Sequence, residues 1–214
     1  MIDGSASELM AQVAKSYEAH FGTPPDAVAF APGRVNLLGE HTDYNGGLVL
    51  PMPLRLGTAM AAGQGRVAGQ LRAASANFAS EERRSLTDTA TNCWSDYVLG
   101  SLCNAPGLSP ETGLNIMVNS NLPMGAGLSS SAAIEVCTLR LADMLFGTNT
   151  DAVTIARLAR RVENEFVGMP CGIMDQFAVS VGKVGEALFL DTRTLTHLPA
   201  PLPDGHTFLI VHSG

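Results

Sequence analysis

Positive charge is scarce in this chain: 13 Lys and Arg stand against 20 Asp and Glu in 214 residues, a formal net charge of −7. That balance argues against nucleic acid or an anionic membrane as a ligand, since both need a cationic surface. Charge of either sign is sparse, at 15% of residues against about 25% in ordinary soluble domains. With 46% apolar residues, the imbalance predicts a chain that covers much of itself or meets a large partner. Cysteine is also scarce. Cys93, Cys103, Cys137 and Cys171 form no Cys-x-x-Cys pair and have no His at zinc-like spacing, so buried reduced thiols are expected rather than a disulfide framework or zinc site. The longest uncharged run, Thr112 to Ile134, is broken by Asn115, Asn119, Asn121 and Pro123, which excludes a membrane helix. Residues 1–20 carry Asp3, Glu8, Lys15 and Glu18. No secretory signal is readable there, and a cytoplasmic protein is expected.

What is present is enough for a real core in one large or two small domains. Ser5-Ala-Ser-Glu8 reads as a capping box, and Leu9, Val13, Tyr17 and Phe21 follow at helical spacing until Gly22-Thr-Pro-Pro ends the helix. Ala27–Ala31, Arg34–Leu38, Leu48–Leu54 and Gly57–Gln64 read as strands between Gly and Pro punctuation, and Arg66–Ser75 continues the pattern. Residues 76–92 are polar and predict a solvated loop or hairpin. A helix over Cys93–Leu102 carries Trp94 and Tyr97 one turn apart, and Leu114, Ile116 and Val118 alternate with polar or flexible partners as a strand. Ala132–Phe146 is apolar nearly all round, as in a helix buried on several sides. A second helix runs from a cap near Asp151 to about Val167, and Gly185–Leu190 and Thr207–Val211 read as later strands. Strands first and helices packed on them predict an α+β fold with a mostly antiparallel sheet.

Three segments concentrate polar chemistry. Residues 31–51 hold Arg34, Asn36, Glu40, His41, Asp43, Tyr44 and Asn45 among glycines. A sheet burying Val35, Leu37, Leu38, Leu48, Val49 and Leu50 would hold that loop rigid, with donors and acceptors fanned toward a small polyhydroxylated ligand. The second segment, Asn121-Leu-Pro-Met-Gly-Ala-Gly-Leu-Ser-Ser-Ser131, joins a strand to the buried helix. Gly125 and Gly127 let backbone approach a ligand. Ser129, Ser130 and Ser131 stand where first-turn N–H groups and the positive helix end make an anion site; serines there are equally good N-caps. There is no Gly-Lys-Ser/Thr of a Walker loop. In the third segment, a helical wheel started at Ile155 puts Leu158, Ala159, Val162 and Phe166 on one stripe and Glu163 just beyond its edge. That position suits a half-buried carboxylate, for a salt bridge or for a ligand. Pro170 breaks this helix, and Asp175 begins a further short one.

These segments resemble the galactokinases, a group within the small-molecule kinase family that includes homoserine and mevalonate kinases. The likeness rests on Ala31–Pro51, on Pro123–Ala133 and on Glu163–Phe177 with its Gly-Met-Pro-Cys-Gly-Ile-Met-Asp-Gln-Phe ending. It implies an N-terminal helix and lead-in over 1–26 and a GHMP-type N-terminal lobe over 27–214. The family's Gly-rich motif of the C-terminal half is missing, so a truncated chain is expected, weakly active or inactive alone and exposing apolar surface where a C-terminal lobe packs.

The same resemblance implies ATP-dependent phosphorylation of D-galactose at its C1 hydroxyl. It implies that Asp175 takes the hydroxyl proton with Arg34 as partner, and that Glu40, His41, Asp43 and Gly172 hold the sugar. Pro123, Gly125, Gly127, Leu128, Ser129, Ser130 and Ser131 are implied to wrap the ATP phosphates, and Ser131 with Glu163 to hold Mg²⁺. Trp94 and Tyr97 match a Trp-x-x-Tyr pattern of the group and either wall the adenine or face a core. A related kinase for a sugar such as N-acetylgalactosamine, and a non-catalytic galactose and ATP sensor, remain alternative readings.

Overall fold

Alternation along the central strands decides the architecture. In the computed structural model, which describes residues 6–78, 80–206 and 208–211, five strands form one sheet. They are β1 (Ala27–Asn36), β3 (Pro51–Gln64), β4 (Gln70–Ser75), β5 (Glu81–Ser85) and β6 (Leu114–Ser120), in the order β1-β3-β6-β4-β5. Only the β4–β6 pair is parallel; the other three are antiparallel. Ala59 and Ala61 of β3 and Met117 of β6 face α1 (Ala6–Phe21), packing with Leu9, Val13 and Tyr17. Met60, Ala62, Ile116 and Val118 face the opposite layer, with Val98, Leu99, Val136 and Cys137. A strand buried on both faces needs apolar residues at both parities, which is why these strands look continuous rather than alternating.

The opposite layer holds α2 (Ser95–Asn104), α3 (Ser130–Phe146), α4 (Ala152–Arg161) and α5 (Met174–Val181). Helix α3 lies across β1 and β3 with Ala132, Val136, Cys137, Leu139 and Leu141 buried. Its Arg140 donates to the carbonyl oxygens of Phe30 and Ser180 at 2.8 and 3.0 Å. A smaller antiparallel sheet, β2 (Leu48–Val49), β7 (Glu186–Asp191) and β8 (His197–Pro201), covers α4 and α5 through Val49, Leu188 and Leu190 against Ala156, Ile173 and Phe177. No helix among the described residues is long and apolar enough to cross a membrane.

Several sequence expectations need correction. Ala27–Ala31 and Arg34–Leu38 are one strand with a bulge between Pro32 and Arg34, so the break at Gly33 bends a strand instead of ending it. Leu48–Leu54 splits after Val49, and its remainder runs without interruption into the Gly57–Gln64 strand. The polar stretch 76–92 does form a hairpin strand, β5. Leu38 and Leu48 are exposed, at 71% and 54%; only Val49 of the six proposed apolar anchors is fully buried. Residues 208–211 of the expected last strand have no regular structure and are exposed, while Thr207 and the capping Ser5 lie outside the described residues. Strand β8, rich in Pro and Ala, was not anticipated. All four cysteines are free, but only Cys137 is fully buried and Cys103 is exposed.

Candidate active site

The bulge at Gly33 sets the site. A side chain at this position would collide with Leu122 and the Leu128 carbonyl, so only glycine lets the Gly-Ser loop lie against β1. The Arg34 amide then donates to the Leu128 carbonyl at 3.2 Å, and the Arg34 guanidinium donates to the Gly127 carbonyl at 2.8 Å. Its remaining donors grip Asp175 with both prongs, Nε to Oδ1 at 2.7 Å and Nη2 to Oδ2 at 2.6 Å. Such forked pairs fix orientation as well as charge. Three segments far apart in sequence meet here.

Ser129 completes that grip. It stands before the first turn of α3 in the left-handed region (φ 58°), uncommon for a residue with a side chain. Its hydroxyl makes no helix cap and instead donates to Asp175 Oδ2 at 2.7 Å. Backbone strain of this kind persists where surroundings over-determine it, commonly at functional sites. Pro123, Gly125, Gly127, Leu128, Ser129, Ser130 and Ser131 line, with Arg34 and Asp175, an open cleft of about 280 Å³. Gly125 and Gly127 both have positive φ. The first-turn N–H groups of α3, which have no intrahelical acceptor, border this cleft.

A second cavity of about 470 Å³ adjoins it and shares Gly125, Ser130 and Ser131. Its far walls are apolar: Phe78, Trp94, Tyr97, Val118 and Ile134. Trp94 and Tyr97 therefore face a cavity that continues from the loop. The start of α2 that carries them is anchored by Asp96, which accepts from Arg84 at 2.8 Å and from the amides of Thr91 and Cys93.

On the other side of Arg34 lie the polar residues of 36–47. Asn36, two positions along β1 and so on the same strand face as Arg34, donates to the Glu40 carboxylate at 2.9 Å. Its Oδ1 is buried without a protein partner. His41 has a positive φ of 61° and is held by Tyr44, whose hydroxyl lies 2.9 Å from Nδ1, and by the Asn45 side chain on its carbonyl. Thr192 ties this loop to the β7–β8 turn through the carbonyls of Asp43 and Gly47. Gly172 packs directly on the Asp43 carboxylate, leaving no room for a β-carbon. That contact joins the first segment to the loop that precedes Asp175.

Glu163 lies behind the cleft. The helix carrying it widens into a π-helical stretch over Val162–Val167, directly after α4; such insertions recur at functional sites. Glu163 is half-buried and takes no salt bridge to Arg160 or Arg34. Its carboxylate accepts instead from the Gln176 amide at 2.5 Å and is hydrogen-bonded by Ser131. Burial raises its pKa, against those hydrogen bonds. Glu135 on α3, fully buried, also receives Gln176 Nε2, at 3.3 Å; burial first, then the Glu163 charge, pushes its carboxyl up to about 10. Burial also pushes the Cys171 thiol, 3.7 Å from Glu163, up to about 12.

The structure puts Arg34, Asp175 and the loop residues in one cleft, bonds Glu163 to Ser131 of that loop, packs Asp43 on Gly172, and ties Glu40 to Asn36 and His41 to Tyr44 and Asn45, with neither Glu40 nor His41 lining that cleft. Glu135 and Gln176 were not anticipated. The signal lay in their being polar on helices that are otherwise apolar at those positions. Ser131 and Glu163 offer a hydroxyl and a carboxylate oxygen within hydrogen-bond reach of each other, a hard-donor pair of the kind that suits Mg²⁺, which takes few protein ligands and completes its shell with water and phosphate oxygens.

Comparison with known proteins bears on the fold and the family likeness. Residues 15–64 match the galactokinase galactose-binding signature, and residues 96–183 match the GHMP kinase N-terminal domain. Galactokinases of Clostridium perfringens and Bos taurus are 40% and 39% identical over 199 and 209 residues, covering 90% and 93% of this chain. The chain spans about half the length of the curated relatives it matches, 51% and 53% for these two. The fold superposes on Lactococcus lactis galactokinase complexed with galactose with a TM-score of 0.82 and 31% identity, covering 91% of this chain and 52% of that one. A mevalonate kinase from Methanococcus jannaschii, 20% identical over 83% of this chain and 56% of its own, shares the fold with a TM-score of 0.66.

Proposed function

Since this chain is related to the galactokinases of the GHMP kinase family, over about half of their length, we propose that it serves ATP-dependent phosphorylation of D-galactose at C1. One observation carries the reading: the Asp175 carboxylate, forked to Arg34 and bonded by Ser129, stands at the rim of the Gly-Ser cleft. A proton acceptor beside a phosphate cradle is the arrangement that phosphoryl transfer to a hydroxyl requires.

On this reading adenine enters the cavity walled by Trp94 and Tyr97, and the phosphates bend over Gly125–Ser131 onto the first turn of α3. Asp175 accepts the hydroxyl proton as the sugar oxygen bonds to the γ-phosphorus and the bridging oxygen leaves with ADP. Arg34 holds Asp175 in place and opposes the charge that gathers between donor and acceptor. Glu40, His41 and Asp43 accept from or donate to sugar hydroxyls, and a built set of hydrogen bonds rejects an epimer that leaves one unmade. Ser131 and Glu163 would hold Mg²⁺, which neutralises charge on the phosphate oxygens when bound.

A coupled ADP-release assay of this chain with a panel of galactose, N-acetylgalactosamine and glucose tests the reading. The expected result is ADP release with galactose above the sugar-free rate, weak for this chain, which spans about half the length of its relatives, with phosphate found on C1. Preference for N-acetylgalactosamine would move the specificity, and phosphate on another carbon would refute the assignment of Asp175.

A further inference from the structure

Asp175 and Gln176 are neighbours on the first turn of α5 and point to different layers. Asp175 meets Arg34 and Ser129; Gln176 is fully buried between α3 and the π-helical stretch. Its Nε2 has two hydrogens and lies within hydrogen-bond distance of two carboxyl groups, Glu163 Oε2 at 2.5 Å and Glu135 Oε2 at 3.3 Å. Two further atoms of this cluster, Glu135 Oε1 and Gln176 Oε1, are buried without a protein partner. Unsatisfied buried polar atoms are rare and call for an explanation.

We propose that Gln176, braced by Glu135, is a positioning residue that holds the Glu163 carboxylate toward Ser131 for a divalent cation. This inference rests on the metal role given to Glu163 above and goes beyond it. The chemistry of the clamp supports it. A Lys or Arg in place of Gln176 would also hold Glu163, but it would cancel the charge that a cation needs. An amide orients the carboxylate by hydrogen bonding and leaves that charge in place. Among the described residues no ion pair reaches Glu163 or Glu135. Glu135 accepts the second N–H and so fixes the amide plane, which lone Gln side chains leave free to rotate. Ser131 approaches Glu163 from the cleft side, so the clamp and the loop hold one carboxylate from two directions.

The test is direct binding of Mn²⁺, followed by electron paramagnetic resonance, with a non-hydrolysable ATP analogue present. Wild type, Gln176→Leu and Glu163→Ala are compared, and analogue affinity without metal and galactose affinity are measured on each. Gln176→Leu is expected to weaken Mn²⁺ binding about tenfold while both other affinities stay within twofold, a split that a general loss of structure would not produce. If Glu163→Ala weakens Mn²⁺ and Gln176→Leu does not, the positioning role is overturned and the metal reading stands. Wild-type Mn²⁺ binding by Glu163→Ala overturns both. Because Gln176→Leu leaves two carboxyl groups facing an apolar side chain, a second measurement needs no variant. The side-chain amide proton resonances of Gln176 in wild type should shift when Mg²⁺ is added to the analogue complex, and their standing still would overturn the inference.

Discussion

Two carboxylate sites flank the first turn of α5, and they are built on opposite plans. Asp175 is met by a cation, the Arg34 guanidinium, with Ser129 as a third donor. Glu163, on the other side, is met only by neutral donors, Gln176, Ser131 and the Cys171 thiol, and its pKa is raised by burial. A carboxylate with an internal partner is complete within the chain. One without is held in shape yet electrostatically open. On the proposed reading, the contrast separates a group that handles a proton from one suited to an added cation, although only 12 positions part them in sequence.

The largest expected effect breaks one side alone. Asp175→Asn keeps the shape but puts a donor NH₂ where one acceptor oxygen stood, so one prong of the Arg34 fork is lost together with the proton acceptor; turnover should fall roughly 10²–10⁴-fold, the range for a positioned acid–base group. Mn²⁺–nucleotide binding should change less than threefold, because Glu163 and Gln176 are untouched. A fall of under threefold in the coupled assay would remove Asp175 from the proton step. Loss of metal binding in the same variant would mean that the two sides are not separate.

The next largest effect concerns stability and the layer behind Glu163. The Glu135 carboxyl has a folded value of about 10 against 4.5 in the unfolded chain, chiefly from burial. The native state therefore binds the extra proton between those values, and stability declines as pH rises through that window, by up to about 1.4 kcal/mol per pH unit. Glu135→Gln is isosteric with the protonated form and has no such slope. Unfolding free energies from urea titrations should favour the variant increasingly from pH 5 to pH 9, by about 3 kcal/mol at pH 7 as an upper figure. A gap that stays constant with pH would show that Glu135 is ionised in the native protein.

The two sides were unequally legible in sequence. Arg34, Asp175 and the serine triplet lie in dense polar or Gly-rich segments, and their meeting could be expected from motif and order. The helical wheel put Glu163 at the edge of a buried stripe, and a half-buried position resulted even though the helix becomes π-helical at Val162. Gln176 and Glu135 stand out as polar residues on apolar helices, but their partners could not be read, because a single polar residue on an apolar helix face gives no sign of what it meets. Their partners come from tertiary contact between α3, α5 and the π stretch. The strands were placed well in the core and poorly near residues 31–51, where the bulge at Gly33 depends on packing against Leu122. Burial of Leu38 and Leu48 was misjudged for a related reason. An apolar residue beside a buried one implies nothing when the strand, β2, is only two residues long.

The smallest predicted effect sharpens the comparison by perturbing the loop that feeds both sides. Gly172 carries no side chain because the Asp43 carboxylate occupies that space. In Gly172→Ala the new methyl must displace either Asp43 or the loop, and overpacking of this kind costs about 1–3 kcal/mol. Asp43 is the freer element, being half-buried on a surface loop, whereas the residues after Gly172 enter a buried helix. The displacement should therefore go toward the sugar flank. Galactose affinity, measured by calorimetry, is expected to fall about tenfold, with Mn²⁺–nucleotide affinity within twofold of wild type. Equal losses on both would mean that the loop moves instead, carrying Asp175 and Gln176 together, and the two carboxylate sites would then respond as one mechanical unit.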